Sequence, residues 1–245
     1  MPAKWYQKWF DSPYYHILYH QRNDAEAEFF IDNLCRYIQP KPGARMLDIA
    51  CGKGRHSVYL NRKGYDVTGI DLSYSSIKYA KQFENEKLQF FQHDMRNLLY
   101  INYFDIALNL FTSFGYFEKE KDNINALKSF RKSLNSGGLL VLDYFNSERI
   151  IRNLTGEEIK TVEGIDFHIT KKVSEGKIIK TIGFKDKSHN YKFEERVQAF
   201  SFSDFEHLFR LSGFKINAYF GNYDLAPFDP ETSDRLIFIC SKSNV

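Results

Sequence analysis

Between residues 45 and 144 the chain alternates two hydrophobic rhythms. Short apolar runs at 45–50, 65–70, 88–93, 104–110 and 138–144 read as buried strands, and the segments near 54–63, 73–83 and 121–134 read as helices. Gly64 and the Gly137-Gly138 pair fall where two of these helices should end. Strand, helix and strand repeated at this pitch predict an α/β fold, a doubly wound parallel sheet with helices on both faces.

Ahead of this core, residues 1–40 are rich in aromatics and read as helical. Asp24 can cap a helix on which Phe30, Leu34, Tyr37 and Ile38 recur at helical spacing, with Pro40 and Pro42 stopping it. The run Trp5, Tyr6, Trp9, Phe10, Tyr14, Tyr15 and Tyr19 fits a packed helical cap, or a lid over a ligand. After residue 150 the rhythm drops to period two in "GIDFHIT", "KIIKTIGF" and "NYKFEERVQAF", which predicts an antiparallel β insertion over 150–200. Strict alternation places Glu195 on the face of Tyr191, Phe193, Val197 and Ala199. Either a bulge shifts the register there, or a carboxylate faces the pocket and meets an amine substrate; the sequence favours the bulge. Helical spacing returns at Ser203, whose distance to Glu206 predicts a capping box, and ends at Gly213. Strands near 214–221 and 235–241 follow. The chain thus divides into a helical cap or lid (1–40), an α/β core (41–149), the insertion (150–200) as substrate lid or dimer surface, and the completion of the core (201–245).

Composition narrows the function classes. With 43% hydrophobic and 17% aromatic residues among 245, the chain can fill a sizeable core. A formal charge of +3, from 34 basic and 31 acidic side chains, is too balanced to imply a nucleic-acid or membrane partner. Lys171, Lys172, Lys177, Lys180, Lys185, Lys187 and Lys192 read as a solvated sheet face. Cys35, Cys51 and Cys240 show no C-x-x-C pairing and read as free thiols, Cys51 as a small loop residue rather than a nucleophile. No signal peptide and no membrane span are visible, so a cytoplasmic location is expected. His16 and His20 stand four apart without the Glu of a His-Glu-x-x-His motif, and no metal is expected.

The chemistry concentrates in "LDIACGKGRHS", Leu47 to Ser57. A dinucleotide fingerprint needs a third glycine where this loop has Ser57, and Lys53 is outside a Walker context. The glycines still mark a close approach of backbone to ligand. Asp48 lies inside the stretch, Asp71 follows at the next strand end, and Asp94 ends the third strand in "FFQHDM". A carboxylate about 20 residues beyond a glycine loop suits ribose hydroxyls, and Asp94 can accept from an adenine amino group. Three acids around one pocket favour a nucleoside carrying positive charge and repel a pyrophosphate.

The pattern Asp48-x-Ala50-x-Gly52-x-Gly54, with Asp71 and Asp94 at later strand ends, resembles the class I S-adenosylmethionine-dependent methyltransferases. "LDIACGKGRHS", "VTGIDLSYSSIKYA" and "SFSDFEHLFRLSGF" look like the small-molecule branch of that superfamily. The resemblance covers about residues 20–245 and is weakest over 150–200; Ala50 stands where many members carry a first glycine. It implies a Rossmann-like seven-stranded sheet with an antiparallel last strand. It also implies S-adenosylmethionine as cofactor and S-adenosylhomocysteine as product. Gly52 and Gly54 would let the backbone pass under the methionine part, and Asp48 would favour its ammonium. Asp71 would hold the ribose, with Ala50 and Leu72 among the cofactor-binding positions. Asp94 would meet the adenine amino group, Met95 the ring, and Asn109 would lie near the sulfonium.

Methyl transfer from a sulfonium mainly needs alignment, which can supply about 7–11 kcal/mol. A general base is needed only for a protonated nucleophile, and His16, His20, Tyr15 and Tyr144 are candidates that spacing does not separate. A small-molecule N- or O-methyltransferase, monomeric or homodimeric, is the expected function. An RNA or other nucleic-acid methyltransferase would carry an Asn-Pro-Pro-Tyr-type motif after the fourth strand or an added basic domain; this chain has "NLFTSFGYF" there, which counts against amino-methylation of bases. The residues also leave open a cofactor-binding protein without transfer activity. A nicotinamide-dependent oxidoreductase fits less well, since its third glycine is missing.

Overall fold

The computed structural model describes residues 5–19 and 24–243. His20, and the side chains of Trp5 and Tyr6, lie outside the description. Strand β1 (Arg45–Ile49) is the middle of a seven-stranded sheet because four of its five residues are buried on both faces. It pairs in parallel with β2 (Asp66–Asp71) on one side and β4 (Phe104–Asn109) on the other. Outward from these lie β3 (Leu88–Gln92) beside β2, then β5 (Leu134–Phe145), β11 (Arg235–Lys242) and β10 (Phe214–Phe220) beyond β4. β11 runs antiparallel to both neighbours, so the sheet is parallel except for its last strand in sequence.

Helices cover both faces. On one, α3 (Asp24–Ile38), α4 (Arg55–Arg62) and α5 (Tyr74–Ala80) bury Phe30, Leu34, Leu60 and Ile77 against Met46, Val67 and Phe90. On the other, α6 (Glu120–Ser133) and α8 (Phe202–Ser212) bury Leu127, Phe130, Phe205 and Phe209 against Leu47, Leu140 and Phe238. Tyr37 is half exposed and takes no place in the core, its ring meeting Phe220 edge-on. No helix among the described residues is long and apolar enough to cross a membrane.

Three local expectations change. α8 is capped by Ser201 and Asp204, not Ser203 and Glu206: the Ser201 N–H donates to Asp204 Oδ2 at 2.8 Å and the Asp204 N–H to Ser201 Oγ at 3.3 Å. β5 begins at Leu134, and Gly137 and Gly138 lie inside it; they absorb a register shift against β4, where Phe104 faces Leu134 but Ile106 faces Leu139. Gly64 does follow the end of α4, at φ +94°.

The third change concerns the insertion. β6 (Glu157–Val162), β7 (Ile165–Ser174), β8 (Lys177–Asp186) and β9 (His189–Gln198) form an antiparallel meander, preceded by the short α7 (Ser147–Arg152). β8 and β9 pair without interruption from Lys177–Gln198 to Asp186–His189, so no bulge occurs and Glu195 stays in phase with Phe193 and Val197. Lys180, opposite Glu195, is correspondingly drawn off the solvated face. One face of this sheet packs Phe167, Ile169, Ile182 and Phe184 against Trp9 and Leu18. Those two residues belong to α1 (Trp5–Phe10) and α2 (Pro13–Leu18), which therefore join the insertion rather than the α/β core.

Candidate functional site

Strand order reverses around β1: the chain moves outward through β2 and β3, then returns to β4 on the other side. Ligands in open α/β sheets bind beyond the strand ends at such a point. A cleft of about 960 Å³ opens there, lined by the ends of β1, β2, β3 and β4 and roofed by α1, α2 and β9. That volume is near the top of the range for small-molecule sites, about 300–1,000 Å³.

The floor is the loop after β1. Ala50, Gly52 and Gly54 all take left-handed φ angles of +60°, +56° and +84°. Its N–H groups are already engaged: Cys51 donates to the Ile70 carbonyl at 2.9 Å, Gly54 to the Cys51 carbonyl at 2.9 Å, and Gly52 to Asp71 Oδ2 at 2.9 Å. A phosphate-binding loop leaves such groups free for the anion. This one uses them internally and sets carboxylates beside them.

Asp71 also accepts the Ser73 N–H on Oδ1, at 2.8 Å, and so ties the ends of β1 and β2 together. Burial pushes its carboxyl above the ordinary range, against those backbone hydrogen bonds. Asp48 is 1% exposed and accepts Ser57 Oγ–H at 2.5 Å. Burial lifts its pKa to about 6, with the hydrogen bond from Ser57 opposing the rise and the charge of Asp71 adding to it. Asp94 is clamped by Arg96, whose Nε lies 3.0 Å and Nη2 2.5 Å from its oxygens.

Asp48, Ala50, Gly52, Asp71, Leu72, Asp94 and Met95 all line the cleft. Gly54 and Asn109 do not. A Cβ on Gly54 would meet the Phe90 ring at 2.7 Å, so the missing side chain lets α4 pack on β3. Asn109 is fully buried, donates through Nδ2 to the Ile49 carbonyl at 3.2 Å, and holds β4 to β1 beneath the cleft. The cleft wall there is Leu110, Phe111, Thr112 and Ser113 instead.

The base candidates separate in the same way. Tyr144 is fully buried away from the cleft, donates to the Gln198 carbonyl at 2.5 Å, and has its hydroxyl pushed far above the ordinary range by burial. It stands outside the lining of the cleft. Tyr15 and His16 line the cleft. Burial, with the charge of Lys53 nearby, lowers the His16 pKa to about 4, which leaves a neutral imidazole at neutral pH. The Cys51 thiol is pushed well above its ordinary value by burial and by Asp48, so it stays protonated at neutral pH.

Several cleft residues carry no motif that marks them in the sequence. His56 stands 5.0 Å from the Phe111 ring, its pKa lowered by burial to about 3. Phe111 and Thr112 both adopt left-handed backbone, held by Asp143, whose Oδ2 accepts the Phe111 N–H at 2.7 Å. Asp143 in turn pairs with Arg235 at 2.7 Å, and Arg235 reaches Thr112 Oγ1 at 3.0 Å. Asp143 stands near the end of a strand, where the logic that singles out Asp71 applies to it as well. Arg235 comes from the far antiparallel strand and gives no such signal. Glu195 is signalled by the alternation of β9, and the unbroken register turns it toward the cleft.

Residues 46–138 match the family model described as a methyltransferase domain. The glycine/sarcosine N-methyltransferase of Halorhodospira halochloris is 35% identical over 137 residues, 53% of this chain and 49% of that protein. This chain spans about half the length of the curated relatives it matches. Among solved structures, an S-adenosylmethionine-dependent methyltransferase from Clostridium acetobutylicum superposes with a TM-score of 0.79 at 18% identity, covering 94% of this chain and 97% of that one. The amino pentose methyltransferase CalS10 of Micromonospora echinaspora, solved with S-adenosylmethionine bound, gives 0.71 at 20% identity, covering 95% and 98%. At those identities the structures attest the shared fold, and the sequence match adds the domain. Residues 46–138 thus carry a methyltransferase domain, and the chain as a whole has the fold of the solved S-adenosylmethionine-dependent methyltransferases.

Proposed function

We propose that the protein binds S-adenosylmethionine in this cleft and transfers its methyl group to a nitrogen or oxygen atom of a small molecule in the cytoplasm. The observation that carries this reading is Asp71. It stands at the end of β2, braced by the Gly52 N–H, in one cleft with Asp94 and Met95 from the end of β3. A carboxylate in that place suits the two ribose hydroxyls. Asp94 and Met95 fit the adenine edge and face. Asp48 and its Ser57 partner favour the cationic ammonium. The open space above Gly52, where an added Cβ would meet nothing within 4 Å, leaves room for the methionine chain.

The bound group supplies a methyl on an already activated sulfonium. The remaining work falls to the chain: to hold the acceptor in line and to exclude water. Phe10, Tyr15 and Tyr116 close the upper cleft and serve the second task. The names of the relatives, a glycine/sarcosine N-methyltransferase and an amino pentose methyltransferase, support a small acceptor.

Calorimetric titration with S-adenosylmethionine, S-adenosylhomocysteine and NAD tests the cofactor. The first two should bind and NAD should not. Asp71→Ala should weaken them about tenfold to a hundredfold, the worth of one charge-assisted hydrogen bond. Folded protein that binds none of the three overturns the reading.

A further inference from the structure

Nothing in the proposed grip on the methyl donor uses Glu195. It stands on β9 in unbroken register, its side chain 16% exposed, in the cleft wall opposite the glycine loop. We infer that the acceptor is an amine, captured as its ammonium by Glu195 inside an aromatic enclosure. This rests on the methyltransferase reading above and names the acceptor class within it.

The hydrogen bonding of the carboxylate is lopsided. Trp9 Nε1–H and Tyr19 O–H both donate to Oε1, each at 2.7 Å. Among the described residues no hydrogen-bond donor reaches Oε2; Lys180 Nζ is the nearest cation, at 4.0 Å. Lys180 is itself committed to Tyr19, donating to its hydroxyl at 2.5 Å and standing 4.7 Å above its ring. It offsets part of the cost of burying the carboxylate without occupying the open oxygen. An ionised carboxylate has about four acceptor sites. Here two serve to fix its orientation, and the other oxygen keeps its own.

The surroundings suit a cation. Phe10 packs edge-on to Tyr15 at 5.0 Å and to Tyr116 at 5.4 Å, and Tyr15 meets Tyr19 at 4.9 Å, so ring faces and edges of different orientation border the same space. Aromatic faces attract an ammonium most when water is excluded. An alcohol of the same shape would gain neither the charge pairing nor the cation–π contact. For transfer, the bound ammonium gives one proton to Glu195 Oε2, the acceptor that faces it. Its freed lone pair then forms the C–N bond as the donor's S–C bond breaks, and that bonding pair stays on sulfur.

The test uses the full chain loaded with S-adenosylhomocysteine, titrated with n-propylammonium chloride and, separately, with 1-propanol. The ammonium should bind and the alcohol should not. In Glu195→Gln, which keeps an oxygen for Trp9 and Tyr19, ammonium affinity should fall tenfold or more with S-adenosylhomocysteine affinity unchanged. Equal binding of the alcohol, no binding of the ammonium, or an equal loss of both ligands in Glu195→Gln overturns the inference. Wild-type protein that fails to bind S-adenosylhomocysteine at the first step refutes the cofactor reading instead, and the inference falls with it.

Discussion

Asp71 and Gly52 are joined by a hydrogen bond from the Gly52 N–H to Asp71 Oδ2, at 2.9 Å, so the carboxylate proposed to hold the ribose also fixes the loop proposed to pass under the methionine. Gly52 and Gly54 then part company. Gly52→Ala meets no neighbour and costs only the strain of left-handed backbone, about 1–2 kcal/mol. Gly54→Ala carries the same strain and also drives a methyl into Phe90, for about 2–5 kcal/mol together. Urea unfolding should show the larger loss for Gly54→Ala. S-Adenosylhomocysteine titration of the folded variants should show the larger loss for Gly52→Ala.

Asp48 makes stability depend on pH. Its folded-state pKa, about 6, lies above the ordinary 3.8, so folding is favoured while the group is protonated and loses that support as pH rises from about 4 through 6. The span is about 3 kcal/mol. Asp48→Asn carries no charge to bury and should lack this decline. Urea midpoints of the two proteins should diverge between pH 4 and pH 7, with the variant gaining; parallel curves would remove Asp48 as the cause.

Ala50 sits at φ +60°, a backbone that costs an L-residue about 1–2 kcal/mol. Glycine relieves it and costs about 0.4–1 kcal/mol through the unfolded chain. Ala50→Gly should therefore raise stability by up to about 1.6 kcal/mol in urea unfolding, with cofactor affinity held.

The roof is latched to the cofactor side by Asp11, between α1 and α2. Its Oδ1 accepts the Ser73 hydroxyl at 2.7 Å and the Ser75 N–H at 3.2 Å, as well as the Ser75 hydroxyl. The hydrogen bond from Ser75 leads the effects that hold its carboxyl below the ordinary range, so the latch is present at neutral pH and is lost as acid protonates it. Asp11→Asn should speed amide hydrogen exchange across residues 9–18 at pH 7 and leave the β1–β5 amides unchanged. Equal rates in both proteins would show that the latch carries no weight.

The α/β core is legible in the sequence because its signals are local. β1 announces itself by the apolar Met46, Leu47 and Ile49, and Asp48, Asp71 and Asp94 lie at or near strand ends, which a single chain can reveal. Gly54 and Asn109 sit at the right places in the chain for a ligand, yet beneath the cleft rather than in its wall. Whether a glycine spares a ligand or a phenylalanine depends on Phe90, which lies 36 residues further along the chain. Glu195 is ambiguous for a similar reason: a carboxylate on an apolar strand face looks like a register error until Trp9 and Tyr19 stand beside it. The capping box lies two residues earlier than its spacing suggests because Ser201 and Ser203 carry the same chemistry, and only packing chooses between them.

Trp9 and Glu195 meet across 186 positions of sequence. A ribosome finishes every strand from β1 to β5 before it makes the partner that α1 and α2 rest on. In the emerging chain the apolar faces of α1 and α2 therefore have no partner until β7 to β9 are made. Closing so long a loop is slow relative to local pairing. The roof cannot close before that sheet is made, and the core is itself completed only afterwards, when β10 and β11 add to β5.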